Sequence, residues 1–390
     1  MLALFFASGI AVSSVAARFQ AIRDLLDAKP SAMGLLVLSS ALGSILTMPL
    51  AGTLLSYIPK KVFVRLCAVL ALAGMAAVAG SAMAHYFPGA LVATFVMGMG
   101  IGPWDVAMNL AGTSVERALG RSIMPRFHAG FSLGTVFGAL VGALLARLGL
   151  VLAIHLVGMG LVALGLVWWG SSRLLPDAEP AVNQPASAGI GPSRARLALA
   201  AWAEPRTLLI GVVVLVAGLT EGSANDWLVL GIGQDFSVDE SVGIVGLALF
   251  LMAMTVMRLL GTSLVDRYGR VVVQRLSTAL ALAGLVAFGL GPNLGWVMVG
   301  AAAWGFGSGM GFPLGLSAAA DDPLRAAART SVVTSIGYTA FLGGPAFLGW
   351  LAGHLGYRQA LLVIILPAVL AFLLAPLLRE QAPANTAEVS

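Results

Sequence analysis

Pro180-Ala-Val-Asn-Gln-Pro-Ala-Ser-Ala-Gly-Ile-Gly-Pro192 stands between two long apolar stretches and divides the chain. A run so rich in Pro, Ala, Ser and Gly cannot bury enough apolar surface to order itself, and it reads as a linker. It lies within 172–205, the only long polar segment of the 390 residues. Outward from it in both directions, apolar runs of about 20 residues recur, the length that crosses a bilayer as a helix. Charged or proline-bearing breaks delimit six before it, near 2–26, 31–56, 62–84, 89–115, 125–148 and 151–171. Six more follow, near 206–230, 241–262, 272–291, 294–320, 329–353 and 357–378. The expected fold class is an all-α polytopic membrane protein with twelve transmembrane helices in two six-helix, pseudo-symmetric halves. The expected parts are an N-terminal half 1–171, a cytoplasmic linker 172–205, a C-terminal half 206–380 and a tail 381–390.

The composition agrees. Charged side chains make up 10% of the chain, against roughly 25% in soluble domains, and the mean hydropathy of +0.96 is too high for a single span to produce. The apolar runs are continuous and do not alternate with period two, which excludes a transmembrane barrel, and 48 glycines suit closely packed membrane helices. Cys67 is the one cysteine, so no intrachain disulfide forms. The first run, 2–17, lacks a basic leader and continues into Arg18-Phe-Gln-Ala-Ile-Arg-Asp24, which reads as a retained first helix. A pI near 9.8 points to anionic lipid and not to nucleic acid, because the basic residues fall in short clusters between apolar runs. Sixteen of the 22 Lys and Arg lie at span ends on the linker's side, and only Lys29, Arg147 and Arg358 lie on the other. Basic loops stay inside, so both termini are expected in the cytoplasm and the protein in the plasma (inner) membrane.

A shift of 207 carries Gly98, Gly100 and Gly102 onto Gly305, Gly307 and Gly309, Gly142 onto Gly349, and Gly149 onto Gly356. The halves thus read as parallel repeats. Six plus six helices joined by a cytoplasmic linker resembles the plan of the major facilitator superfamily. After span 8, Asp266-Arg-Tyr-Gly-Arg270, with Arg258 before it, is similar to the superfamily's loop signature. The resemblance implies a latch at Arg258, Asp266, Arg267 and Arg270 that lets go as the halves rock. After span 2, Gly52-Thr-Leu-Leu-Ser-Tyr-Ile-Pro-Lys-Lys61 has Ser56 where the signature has Asp, which weakens the first-half latch. Lys60, Lys61, Arg267 and Arg270 also suit a simpler role as topology anchors. Arg18 to Asp24, Trp104-Asp-Val-Ala-Met-Asn109, Val115-Glu-Arg117, Phe127-His-Ala-Gly-Phe-Ser132 and Glu221-Gly-Ser-Ala-Asn-Asp-Trp227 resemble the YbjJ-type, fucose-permease-related branch. That resemblance implies transport and a polar pocket without naming a ligand. Gln20 stands where the branch usually has Pro and is expected to shape the pocket.

Charged side chains inside spans cost roughly 2.5–3.5 kcal/mol each on insertion scales, so they face protein or water. The 207 shift lands Arg18 on Asn225, which places Glu221 and Asp226 near its depth. An ion pair closing the outer side follows, with Glu221 as the proton-carrying carboxylate, Arg18 as its switchable partner and Asp226 as the competing acid. The alternative is that Arg18 and Asp226 merely snorkel to the interface. Asp105 and Asn109 share one face of span 4 beside Trp104, a set suited to a polyol or another small polar ligand. Asp105 pairing with Arg117 or Arg121 is the structural alternative. His128 opens span 5 as a titratable or packing residue. Trp304 and Tyr338 are aromatic platforms or packing groups. The expected substrate-binding set is Gln20, Trp104, Asp105, Asn109, Asn225, Trp304 and Tyr338.

No cluster has metal spacing, no nucleophile elbow occurs, and no nucleotide-binding loop is present, so neither catalysis nor a cofactor is expected. The expected function is a proton-coupled secondary transporter of a small polar solute such as a sugar, with the substrate, protons and the lipid bilayer as partners and a monomer as the working unit. Drug efflux, a lipid flippase and a non-transporting solute receptor are the alternatives.

Overall fold

The computed structural model describes residues 1–55, 57–119, 124–174, 200–322 and 325–380. Most of the expected linker and the whole expected tail, Ser56, Arg121 and the side chains of Glu116 and Arg117 lie outside the described residues. Among the described residues there is no strand, and the helices form twelve crossings. Span 1 is two helices, Leu2–Ala17 and Phe19–Leu26, bent by 43° at Arg18. Spans 2 to 6 are Pro30–Leu54, Lys60–Met83, Phe87–Leu119, Met124–Arg147 and Leu152–Ser171. Spans 7 to 9 are Pro205–Phe236, Glu240–Tyr268 and Arg270–Leu290. Span 10 joins Leu294–Ser308 to Gly311–Ala319, span 11 joins Ala326–Tyr338 to Ala340–Leu355, and span 12 is Tyr357–Leu378. Span 8 runs six residues past its expected end and stops only where Gly269 takes φ 77°. The loop signature therefore begins on the last helical turn.

The glycine repeat explains why the halves match. Gly98 lies against the Ser40 carbonyl of span 2, and Gly305 lies against the Phe250 carbonyl of span 8. Gly100 meets Cys67 and Ala71 of span 3 as Gly307 meets Ser277 and Ala281 of span 9. Gly102 meets Ser44, and Gly309 meets Met254 and Met257. A side chain at any of these but Gly309, where contact is looser, would push two helices apart, so the alternating glycines set how closely span 4 and span 10 approach their neighbours. Gly149 and Gly356, another matched pair, both take positive φ in the turns before spans 6 and 12.

Large apolar side chains point outward, as at Leu46, Leu144, Leu276 and Leu366, where lipid covers them. Both Met1 and Arg379 lie at one face of the bundle, called here the terminus face. At the opposite, far face the halves press together: Gly34 of span 2 packs on the backbone of Pro345 and Ala346 in span 11, and Gly349 packs on Pro30. Spans 5 and 8 complete the seam.

Candidate functional site

Two polar groupings lie at mid-depth, and each draws on both halves. In the first, Arg258 of span 8 donates from Nη2 to Glu221 Oε2 of span 7 at 2.8 Å, and Nη1 lies 3.4 Å from the Ser132 hydroxyl of span 5. Both charged side chains are 25% exposed, so they face the opening between the halves and are not sealed in the core. His128 stands one turn from Ser132, edge-on to Phe5, within electrostatic reach of Arg258. The Asn225 amide donates to the Glu221 carbonyl. In the second grouping the Asn109 amide donates to both the Asp105 carbonyl at 2.8 Å and its carboxylate at 3.2 Å. Tyr338, at the break of span 11, lies within electrostatic reach of that carboxylate.

The far face holds a third. Arg18 Nε is 3.4 Å from Glu240 Oε2, and Arg18 Nη2 donates to the Leu150 carbonyl. The Ala21 N–H donates to the other oxygen of Glu240 at 2.8 Å. The expected Arg18–Glu221 pair is therefore not formed. The bend at Arg18 turns its side chain toward the first residue of span 8, while Glu221 finds Arg258 on the adjacent span of its own half. Gln20 is displaced from the expected pocket as well: its amide sits against Gly233 in the closed seam. Arg358 is nearly buried, donating to the carbonyls of Phe288, Gly289 and Gly291 and lying 3.4 Å from Asp235, so it caps span 9. Asp226 lines a small cavity with Gly222, Ser223, Ala340 and Pro345 and makes no ion pair among the described residues.

Trp104 and Trp304 leave the expected binding set. Trp104 is 1% exposed and packs on Ala11, Ala71 and Gly160 inside the N-terminal bundle. Trp304 is fully buried between Phe250 and Phe288. In a membrane helix every face is apolar, so the residue type alone does not tell a core indole from a cavity one.

At the terminus face, Arg270 pairs with Asp321 at 2.6 Å and Glu380 at 3.5 Å, and Arg206 reaches the same Asp321 at 3.4 Å. Glu204 accepts from Arg329 at 2.6 Å, Arg325 at 2.9 Å and Thr207 at 2.8 Å. The Arg329 bond, with Thr207 and Arg325 adding to it, holds the Glu204 carboxyl at about 2. Asp266 and Arg267 are exposed, Asp266 has no ion pair among the described residues, and Arg267 stacks over Tyr268. Of the expected latch, Arg270 thus pairs with Asp321 and Arg258 with Glu221, and neither pairs with Asp266. Asp321, Glu204 and Glu240 escaped the sequence reading because acids at span ends look solvated. Their signal was proximity to basic residues of other loops, which only the fold brings together.

The family model described as the Major Facilitator Superfamily matches the chain over residues 1–340 and again over 210–390. The chain belongs to this superfamily. The "Uncharacterized transporter y4wD" of Sinorhizobium fredii is 30% identical over 377 residues, 96% of either chain. The nucleoside transporter NupG superposes with a TM-score of 0.75 at 15% identity, over 96% of this chain and 98% of its own. The D-xylose-proton symporter superposes with a TM-score of 0.72 at 12% identity, over 100% of this chain and 98% of its own.

For this superfamily member, the polar contacts give a direction. Among the described residues, Arg18–Glu240 is the ion pair that joins the halves, and it lies at the far face. At the terminus face the pairs Arg206–Asp321, Arg270–Asp321, Arg325–Glu204 and Arg329–Glu204 lie within the C-terminal half. The halves press together at the far face. A surface concavity of about 750 Å³ between spans 9 and 12 is lined by Leu282, Val286, Leu290, Trp296, Ile365 and Val369. It has no charged wall and opens outward, as a lipid-facing groove does.

Proposed function

We propose that this superfamily member is a proton-coupled secondary transporter of the plasma membrane. It carries a small polar solute by alternating access of residues 1–171 and 206–380, with 172–205 as linker, works as a monomer and keeps both termini in the cytoplasm. On that orientation the far face is the outer one, and the conformation described is open to the cytoplasm. The observation that carries the reading is the Glu221–Arg258 pair at mid-depth, which faces the opening and reaches Ser132 of the other half. A charged pair costs too much at this depth to be kept for packing alone. The names of relatives and neighbours support it: y4wD is called a transporter, NupG a nucleoside transporter, and the third a D-xylose-proton symporter. The quoted motifs support a place near the YbjJ-type branch.

Asp105, Asn109, Asn225 and Tyr338 are the solute-binding groups. Glu221 is the coupling carboxylate with Arg258, not Arg18, as its switchable partner, and Asp226 and His128 are accessory. Arg206, Arg270 and Asp321 hold the terminus face, and Arg18 with Glu240 holds the far face.

Solutes that stabilise the purified protein, found by thermal shift, supply the substrate for proteoliposome assays. Glu221→Gln, which resembles the protonated acid, is expected to exchange substrate across the membrane yet no longer accumulate it under a pH gradient. Accumulation that persists in this variant removes Glu221 from coupling.

A further inference from the structure

Arg258 is placed as a receptor with unspent capacity. A guanidinium carries five donors in a planar fork matched to a carboxylate's two oxygens. Here the acid of its own half takes one short bond, from Nη2 at 2.8 Å, and the Ser132 hydroxyl a long one, from Nη1 at 3.4 Å. Glu221 does not grip the fork with both oxygens. Two of the five N–H groups are spent in this way, and the Arg258 side chain is 25% exposed beside Ser132 of the other half, so the rest are accessible to a ligand there.

We infer that the substrate carried is a small hydroxylated organic anion, a monocarboxylate of the sugar-acid type, which takes the place of Glu221 on Arg258 when Glu221 is protonated. This rests on the transport reading above and narrows it to a substrate class. The step balances in charge and in protons. Empty, the site holds one guanidinium and one carboxylate and is neutral. A proton from water on the open side binds the Glu221 carboxylate, its bond to Arg258 weakens, and the substrate carboxylate forms two bonds in its place. The loaded site holds one guanidinium, one neutral acid and one substrate carboxylate and is again neutral. Release returns the proton to water on the other side.

An anion without a proton, or a proton without an anion, leaves a net charge at mid-depth, where charge is costly. Both half-loaded forms are therefore poor at rocking, and transport is tied at one proton per anion. The second grouping sets the remainder of the substrate. The Asp105 and Asn109 side chains and the Tyr338 phenol offer polar contacts to the substrate's hydroxyls.

Of the charged and titratable groups on spans packed against span 7, Arg18, Arg23 and Asp24 of span 1, Glu240 of span 8, His354 of span 11 and Tyr357 and Arg358 of span 12 lie at the far face, and Asp266, Arg267 and Tyr268 of span 8 lie at the terminus face. Arg329 of span 11 is bound to Glu204. That leaves Arg258 of span 8 and Tyr338 of span 11 near the depth of Glu221, with His128 and Asp105 across the seam and Asp226 farther along its own helix.

The test uses the full-length protein in nanodiscs, with thermal shift and equilibrium binding of D-gluconate, D-glucose and D-glucosamine at about pH 5.5 and about pH 7.5, on either side of neutrality. A panel of other aldonates and hydroxy-monocarboxylates accompanies the gluconate. An aldonate is expected to stabilise the protein and bind at least about tenfold more tightly at the acid pH, while the neutral and cationic sugars do not. Glu221→Gln is expected to bind it tightly at both pH values. The double variant Glu221→Gln with Arg258→Gln, which removes both charges and leaves no lone buried ion, is expected to fold and to lose the anion response.

Stabilisation by glucose or glucosamine alone, aldonate binding that survives the double variant, or no response to any anion of the panel overturns the proposal. A neutral sugar whose uptake survives the double variant also overturns it, while leaving the transport reading intact. A protein whose halves never exchange accessibility refutes that reading instead.

Discussion

Asn109 spends its amide on Asp105 twice, once on the carbonyl and once on the carboxylate. Replacing it with leucine strips the carboxylate of that donor without opening the helix, and loss of such a buried partner typically costs about 1–3 kcal/mol. Asn109→Leu is expected to weaken substrate binding by roughly ten- to a hundredfold while the melting temperature changes little. Unchanged affinity with a lowered melting temperature would make Asn109 a packing residue. Glu204 gives a pH prediction of the opposite kind. Its carboxyl is held at about 2 by Arg329, Thr207 and Arg325, against an ordinary value of 4.5. The lowered value means that its contribution is fully present above pH 4.5 and is lost as pH falls through about 2. Glu204→Gln is expected to flatten the acid limb of the stability profile in that window and leave it unchanged near neutrality. An identical limb in both proteins would show that the cluster adds nothing. At this scale the sequence picks out Arg18, Asp105, Asn109, Glu221, Arg258 and Tyr338 because all are charged or polar groups within apolar spans. It misjudged who meets whom, as with Arg18 and Glu221, because partner choice depends on a bend and on which neighbouring helix is nearer.

Elements were far more readable, because helix length and glycine spacing are local properties. The alternating glycines of spans 4 and 10 carry the same contacts on both sides of the repeat, with spans 2 and 3 in one half and spans 8 and 9 in the other. What the spacing did not disclose is rotation. An apolar helix in lipid has no polar face to orient it, so Trp104 and Trp304 were read as cavity-facing and instead fill the bundle cores. A methyl group at Gly305 would collide with the Phe250 carbonyl, whereas one at Gly165 would meet nothing within 4 Å. Gly305→Ala is thus expected to destabilise by about 1–3 kcal/mol, the usual cost of overpacking, and Gly165→Ala to leave the melting temperature of the purified protein within error. Equal effects of the two substitutions would mean that close approach at span 10 is not what spaces the helices.

For the whole molecule, the question is what holds one rocking position against the other. At the far face the seam combines apolar backbone contact, Gly34 on Pro345 and Gly349 on Pro30, with one polar device, Glu240 receiving both Arg18 and the Ala21 N–H. Backbone contact at glycines is short-ranged and lost together as the faces part. The carboxylate takes one ion pair and one hydrogen bond from the other half, so it contributes specifically to the closed far face. When that face opens, Arg18 keeps its bond to Leu150, within its own half, and Glu240 is left to water. Removing the charge of Glu240 therefore destabilises only the closed form, and a conformational coupling of this sort is typically about 1–3 kcal/mol. Spin labels at the exposed positions Lys29 and His354 report the far face, and labels at Lys61 and Asp266 report the terminus face. The background is Cys67→Ser, since Cys67 is the single native thiol. In Glu240→Gln, the Lys29–His354 distance distribution is expected to gain a longer component and the Lys61–Asp266 distribution a shorter one. The reciprocal change is the decisive part, because loosening of the far face alone would also lengthen the first distance but would leave the second where it was, and that result would make Glu240 a structural tie and not a gate.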